Sequence, residues 1–130
     1  MDNNYAIRTL DLTKYYGNLL AVDHINLEVK SGEIFGFLGP NAAGKTTTVR
    51  MLTTLLAPTE GTALLNGYDV VRQSYQAKSQ IGIVPEGSNV YTELSGLENL
   101  IFTGKLYYVP KRERERRALE LLELFALRPV

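Results

Sequence analysis

The chain contains no cysteine, which excludes a disulfide framework and any thiolate zinc site. Its one histidine, His24, makes a multi-histidine metal site impossible. Neither sign of charge is in excess: Lys plus Arg number 14 and Asp plus Glu number 14. Such neutrality argues against a general polyanion binder, and no nucleic-acid partner is expected. Long apolar runs are lacking too. The longest, from Ile34 to Gly39, is far too short to cross a bilayer. The N-terminus, MDNNYAIRTLD, shows no basic cap followed by an apolar stretch, so no secretory signal is read there. The expectation is a soluble, cytoplasmic chain that reaches a membrane only through a partner.

What is present is globular in character. A chain of 130 residues with 45% apolar content has room for one domain burying roughly two-thirds of its unfolded surface. Residues 5–12 and 19–30 read as β-structure, with Ile25, Leu27 and Val29 alternating onto one face and YYGN as the turn between. EIFGFL, at 33–38, is apolar almost throughout, the pattern of a strand buried on both faces of a parallel sheet. Val49, Leu52, Leu55 and Leu56 then follow helical spacing, up to APTEG. TALLN reads as a short strand, Asp69 as the cap of a weak helix through VVRQSYQAK, and IGIV as a second buried strand closed by Pro85. Helices are predicted over about 96–108 and 111–127. This order predicts an α/β class fold: an antiparallel β flap over about 1–32, a nucleotide-binding core over 33–85 and a helical region over 86–130.

Between the apolar run and the first helix lies Gly39-Pro40-Asn41-Ala42-Ala43-Gly44-Lys45-Thr46, which fits G-x-x-x-x-G-K-[ST] at every fixed position. Successive backbone N–H groups in such a loop converge on an anion, and the following helix adds its positive end. Gly39 and Gly44 permit backbone angles that a side chain obstructs. Lys45 supplies a mobile cation for the β- and γ-phosphates, the Thr46 hydroxyl completes a Mg²⁺ shell, and Thr47 offers a further hydroxyl. The expected ligand is therefore a phosphate chain carrying Mg²⁺.

The same loop, together with KYYGNLLAVDHINLEVKSGEIFGFLGP, TTLLAPTEGTALLNGYD and IGIVPEGSNVYTELSGLENL, resembles the ATP-binding subunit of ABC transporters. The likeness extends from about Leu10 to Leu127 and is strongest to the ATPases of drug-resistance-type exporters. It implies a P-loop NTPase core preceded by an antiparallel flap and followed by the start of a helical subdomain. Tyr16, ahead of Gly17, matches the family's adenine-stacking aromatic, with Tyr15 as the neighbouring alternative. Two departures stand out. Ala42 replaces the family's usual Gly, at a cost of about 1 kcal/mol if the position needs φ > 0. Glu86 stands where the family generally has a Gln that touches Mg²⁺ and the attacking water, so a metal-side role is expected for it. LSG at 94–96 resembles the start of the family's LSGG signature but continues as LSGLENL. Ser95 and Glu98 instead have capping-box spacing.

The family's hydrolytic parts (the signature, a strand ending in Asp-Glu and a switch His) do not occur before Val130, so the fold is read as truncated ahead of the Asp-Glu strand. Transfer to water needs water, metal and charge stabilisation held together. The chain alone is thus expected to bind ATP without hydrolysing it, and to be poorly soluble because EIFGFL has an unprotected edge. The resemblance implies two partners, a membrane-spanning transporter subunit and a second ATP-binding copy, at the inner face of the membrane. An incomplete or regulatory nucleotide-binding module is the alternative, as is an ABC-type ATPase serving DNA repair or translation. In KRERERRALELLELFAL the charges alternate in sign, and Ala118, Leu121, Leu122 and Phe125 form an apolar face.

Overall fold

A computed structural model describes residues 4–87 and 89–127. The chain divides into two compact units, 1–83 and 84–130. The first is organised around one long strand, β1 (Tyr5–Tyr16), with β2 (Leu19–Ile25), β3 (Glu28–Lys30), β4 (Glu60–Leu65) and β5 (Tyr68–Asp69). The sheet runs β2-β1-β4-β5, and β3 also pairs with β1. All four pairings are antiparallel. The N-terminal half of β1 pairs with β3 and β4, from Tyr5↔Lys30 to Leu10↔Thr62; its C-terminal half pairs with β2, from Leu12↔Ile25 to Tyr16↔Leu19, with β4 rejoining after a register shift at Thr13↔Glu60.

The change of partners occurs at a kink that three strands share. Asp11 (φ +46°), His24 (φ +42°) and Gly61 (φ +70°) all adopt left-handed backbone there. Only glycine fits β4 at this point, because a Cβ on Gly61 would lie 2.1 Å from the Asp11 carbonyl oxygen. Buried threonines repair the interrupted ladder. Thr9 Oγ1 donates to Ile25 O at 2.7 Å and accepts from Leu27 N at 2.8 Å. Thr13 Oγ1 donates to Asp11 O and accepts from His24 N. The sequence predicts one strand over 19–30. The structure breaks it at Asn26, whose side chain bonds Asp11.

Helix α1 (Lys45–Leu52) and the short α2 (Ser74–Ser79) complete this unit. Its core is Leu12, Val22, Met51, Ala63, Leu65, Val70 and Ala77, with Ile7, Ile25, Leu52, Leu56 and Ile81 packed against them. Each large member contributes about 1.5–3 kcal/mol by leaving water. Asp69 caps a turn rather than α2. Its Oδ1 accepts from Val71 N and Arg72 N at 2.8 and 2.9 Å.

Two predicted strands are absent from the structure. Residues 33–40 and 81–85 carry no strand, and neither segment finds a ladder partner among the described residues. Strand identity needs a neighbour to pair with, and apolar content alone does not supply one. The backbone of 34–38 still alternates like a strand. Phe35 and Phe37 line an apolar cavity of about 290 Å³ with Ile7, Val29, Leu52 and Leu65. Ile34 and Leu38 face solvent, fully exposed.

The second unit is a helical hairpin, α3 (Gly96–Leu106) and α4 (Lys111–Leu124). Ser95 and Glu98 form the reciprocal capping box: Glu98 Oε2 accepts from Ser95 N at 2.7 Å, and Ser95 Oγ accepts from Glu98 N at 3.3 Å. Asn99 fastens the preceding loop by donating to the Tyr91, Leu94 and Ser95 carbonyls. Tyr91 meets Phe102 edge to face, with centroids 5.0 Å apart. The stem of Arg114 lies against Gly104, where a Cβ would approach its own Cβ to 2.9 Å. The expected solvated face of α4 is an ion-pair network in which Glu113 bonds Arg116 and Arg117, and Arg116 bonds Glu120. Ala118 and Leu122 are buried, whereas Leu121 and Phe125 are exposed.

Candidate functional site

The loop 39–44 reaches α1 through Gly44, which is left-handed with φ +84°. A Cβ at Gly44 would meet the Ala21 carbonyl oxygen and Val22 Cγ2 at 3.3 Å in the latter case. Gly39 is different. Its backbone is not left-handed, and an added Cβ would make only ordinary contacts, to Ala43 Cβ and Lys45 Cδ at 3.7 Å. The steric requirement expected of both glycines therefore holds only at Gly44. Ala42 adopts φ +63°, the left-handed backbone that an alanine adopts at a cost of about 1 kcal/mol.

Most N–H groups around this loop are unused. Ala43 N donates to Pro40 O at 3.3 Å and Thr48 N to Gly44 O at 2.9 Å. Those of Asn41, Ala42, Gly44, Lys45, Thr46 and Thr47 find no acceptor among the described residues. The last three are the first donors of α1, where the helix dipole adds partial positive charge. The Lys45 ammonium folds back over the loop, donating to the Gly39 carbonyl and to Pro40 O, the latter at 2.9 Å. The Thr46 and Thr47 hydroxyls make no hydrogen bond among the described residues, whereas Thr48 is buried and bonds Gly44 O at 2.9 Å.

These groups line a cavity of about 360 Å³ walled by Asn41 through Thr47 on one side and by Tyr16, Leu19, Leu20 and Ala21 on the other. Pro40 and Gly39 lie outside its wall and contribute the carbonyls that hold Lys45. Tyr16, not Tyr15, is the aromatic in the wall. The sequence signal missed was the stretch after the turn: Leu19 to Ala21 are strand residues with no polar chemistry to mark them. The wall contains no carboxylate and no imidazole. Glu86 stands in the second unit, exposed and without a hydrogen bond or ion pair among the described residues. His24 is a β2 residue whose Nδ1 lies 2.6 Å from Asp23 Oδ1, outside the wall.

A fit to Mg²⁺ rests on Thr46. Its hydroxyl, like that of Thr47 without a hydrogen bond among the described residues, suits a cation that keeps most of its waters and arrives on phosphate oxygens held by the amide donors. A dedicated protein cage is not built, since no group of three His, Asp or Glu residues is placed to hold a metal among the described residues. No helix among them is long and apolar enough to cross a membrane.

A left-handed glycine turn, free amides at a helix start and a lysine over them define the phosphate-binding-loop class of α/β proteins. Residues 22–130 match the ABC transporter family, and the chain belongs to it. It is 41% identical over 118 residues to the bacitracin transport ATP-binding protein of Bacillus licheniformis, covering 91% of this chain and 39% of that protein. To a daunorubicin resistance ATP-binding protein of Streptomyces coeruleorubidus it is 44% identical over 122 residues, again 39% of the relative's length. A solved ATP-binding subunit of an ABC transporter superposes with TM-score 0.80 at 30% identity, covering 94% of this chain and 51% of that one. A nucleotide-free ATP-binding cassette gives 0.77 at 25% identity, covering 95% and 55%. The chain thus spans well under two-thirds of these relatives.

Proposed function

We propose that this chain binds Mg-ATP as the nucleotide-binding part of an ABC transporter ATPase that powers export through a separate membrane subunit. The observation that carries the reading is one cavity with six N–H groups that find no acceptor among the described residues, the Lys45 ammonium and the Tyr16 ring in or over its wall. Residues 39–47 would wrap the phosphates, Lys45 exchanging its loop carbonyls for β- and γ-phosphate oxygens. Thr46 would hold the Mg²⁺ that comes with them, and Tyr16 would stack on adenine. On the strength of the family resemblance alone, Glu86 would add a carboxylate on the metal side. Changing it to Gln would then shift the Mg²⁺ dependence of binding.

Export is favoured because the bacitracin and daunorubicin relatives are named for transport and resistance. A membrane-spanning partner, a second ATP-binding copy and a place at the inner face of the membrane follow from the same family reading. Among the residues of the wall none is a carboxylate or an imidazole, so the wall by itself supports binding, and the chain alone is proposed to bind without turnover.

Calorimetric titration of the chain with Mg-ATP, beside a Lys45→Ala variant, tests this. The variant should bind roughly 10- to 100-fold more weakly, the worth of a charge-assisted contact to phosphate. Phosphate release should stay at background. Equal binding by both forms sinks the nucleotide reading, and release above background sinks the claim of binding alone.

A further inference from the structure

We propose that Lys14 is a positioning residue for the base-binding wall, holding the Tyr16 ring from behind; this rests on the nucleotide reading above. Lys14 and Tyr16 are two residues apart in β1. The Lys14 ammonium lies 5.6 Å from the centroid of the Tyr16 ring, within the range of a cation–π contact. It is not free to wander, because it also donates to the Ala57 carbonyl at 2.8 Å. Tyr16 belongs to the cavity wall and Lys14 does not, and in this proposal the cation holds one face of the ring while the other is left to a base.

The tether has a second end that matters. Ala57 follows α1 through a tight turn in which Leu55 N and Leu56 N both donate to Arg50 O, at 2.9 and 3.1 Å. The same segment is stitched to β1 twice more, by Thr59 N to Thr13 O at 2.9 Å and by Tyr15 N to Thr59 Oγ1 at 3.1 Å. The first residue of α1 is Lys45. One helix therefore carries the phosphate loop at its start and, just past its end, the carbonyl that anchors Lys14. This arrangement fixes the spacing between the aromatic wall and the amide-lined wall, as a ligand with a flat base and a phosphate chain requires. Tyr16 is 46% exposed, so without the cation its ring has few contacts to choose a rotamer for it.

A role in holding the ring predicts a loss confined to ligands that carry a base. Lys14→Met keeps the stem and removes the charge. It should weaken Mg-ATP binding roughly two- to fivefold, as expected for an exposed cation–π contact, and leave inorganic tripolyphosphate binding unchanged. Lys14→Arg, which keeps a cation over the ring, should restore ATP binding. In a Tyr16→Ala background the Lys14→Met change should no longer matter. Equal losses for ATP and tripolyphosphate, or no loss for either, overturn the positioning role. If the unmodified chain binds neither ligand, the nucleotide reading itself falls, and that outcome is visible before any Lys14 variant is made.

Discussion

A Cβ at Gly44 would stand 2.4 Å from the carbonyl oxygen of Ala21, so the phosphate loop and β2 meet backbone to backbone. That contact seats the start of α1 on the flap and lets Leu19 to Ala21 form the opposite wall of the cavity. Gly44→Ala adds left-handed strain to a steric overlap, and the loop must lift from β2. A loss of roughly 2–4 kcal/mol is expected, measured as a fall in the urea midpoint. A variant with the parent's midpoint would show that the loop does not rest on β2.

Ala42 offers the converse case. Its φ of +63° is one that glycine adopts freely, and the residue is exposed, so its methyl has no packing to lose. Ala42→Gly should raise stability by up to about 1 kcal/mol, less the extra backbone freedom glycine has when unfolded. Thermal unfolding checks the sign. A lower midpoint means the left-handed backbone costs less than that freedom.

The parts of the fold legible in the sequence are those fixed within a few residues. The phosphate loop, the flap alternation and the Ser95–Glu98 capping box are local chemistry at fixed spacing. Ladder pairing is not local, and this is why EIFGFL and IGIV read as strands yet lack the partner that makes one. The kink at Asp11, His24 and Gly61 was invisible for the same reason: it exists only where three strands cross. In the site, Lys45 follows from the spacing of its own loop, whereas only the family resemblance singles out Tyr16 over Tyr15. The tie from Lys14 to Ala57 spans 43 positions and leaves no mark in either stretch.

His24 gives the sheet kink a pH dependence that one probe can follow. Its hydrogen bond to Asp23 raises its pKa above the usual value, outweighing slight desolvation, and the Asp23, Glu60 and Asp11 carboxylates add to the effect. A group with a raised folded pKa contributes stability that is complete below its unfolded value of about 6.5 and is lost as pH rises through the folded value. Stability should therefore fall as pH climbs from about 6.5 through the folded pKa, and Asp23→Asn should remove most of the change. Since His24 is the sole histidine, its ring protons titrate unambiguously by NMR. A folded pKa at or below the free value contradicts the arrangement.

Self-association should begin at the two unpaired extended segments. Ile34 and Leu38 face solvent beside backbone with no ladder partner among the described residues, and Val84 is 97% exposed. Short apolar stretches of low charge with free backbone donors and acceptors are templates for intermolecular pairing. Ile34→Lys combined with Val84→Lys should lower the association seen by light scattering, because charge at such an edge penalises stacking. Neither side chain has packing to lose, so the unfolding midpoint should stay within about 0.5 kcal/mol of the parent. A monodisperse parent sample would count against this account at the outset. A clear loss of stability in the variant would mean that these side chains are packed in solution, and association would then have to start elsewhere on the surface.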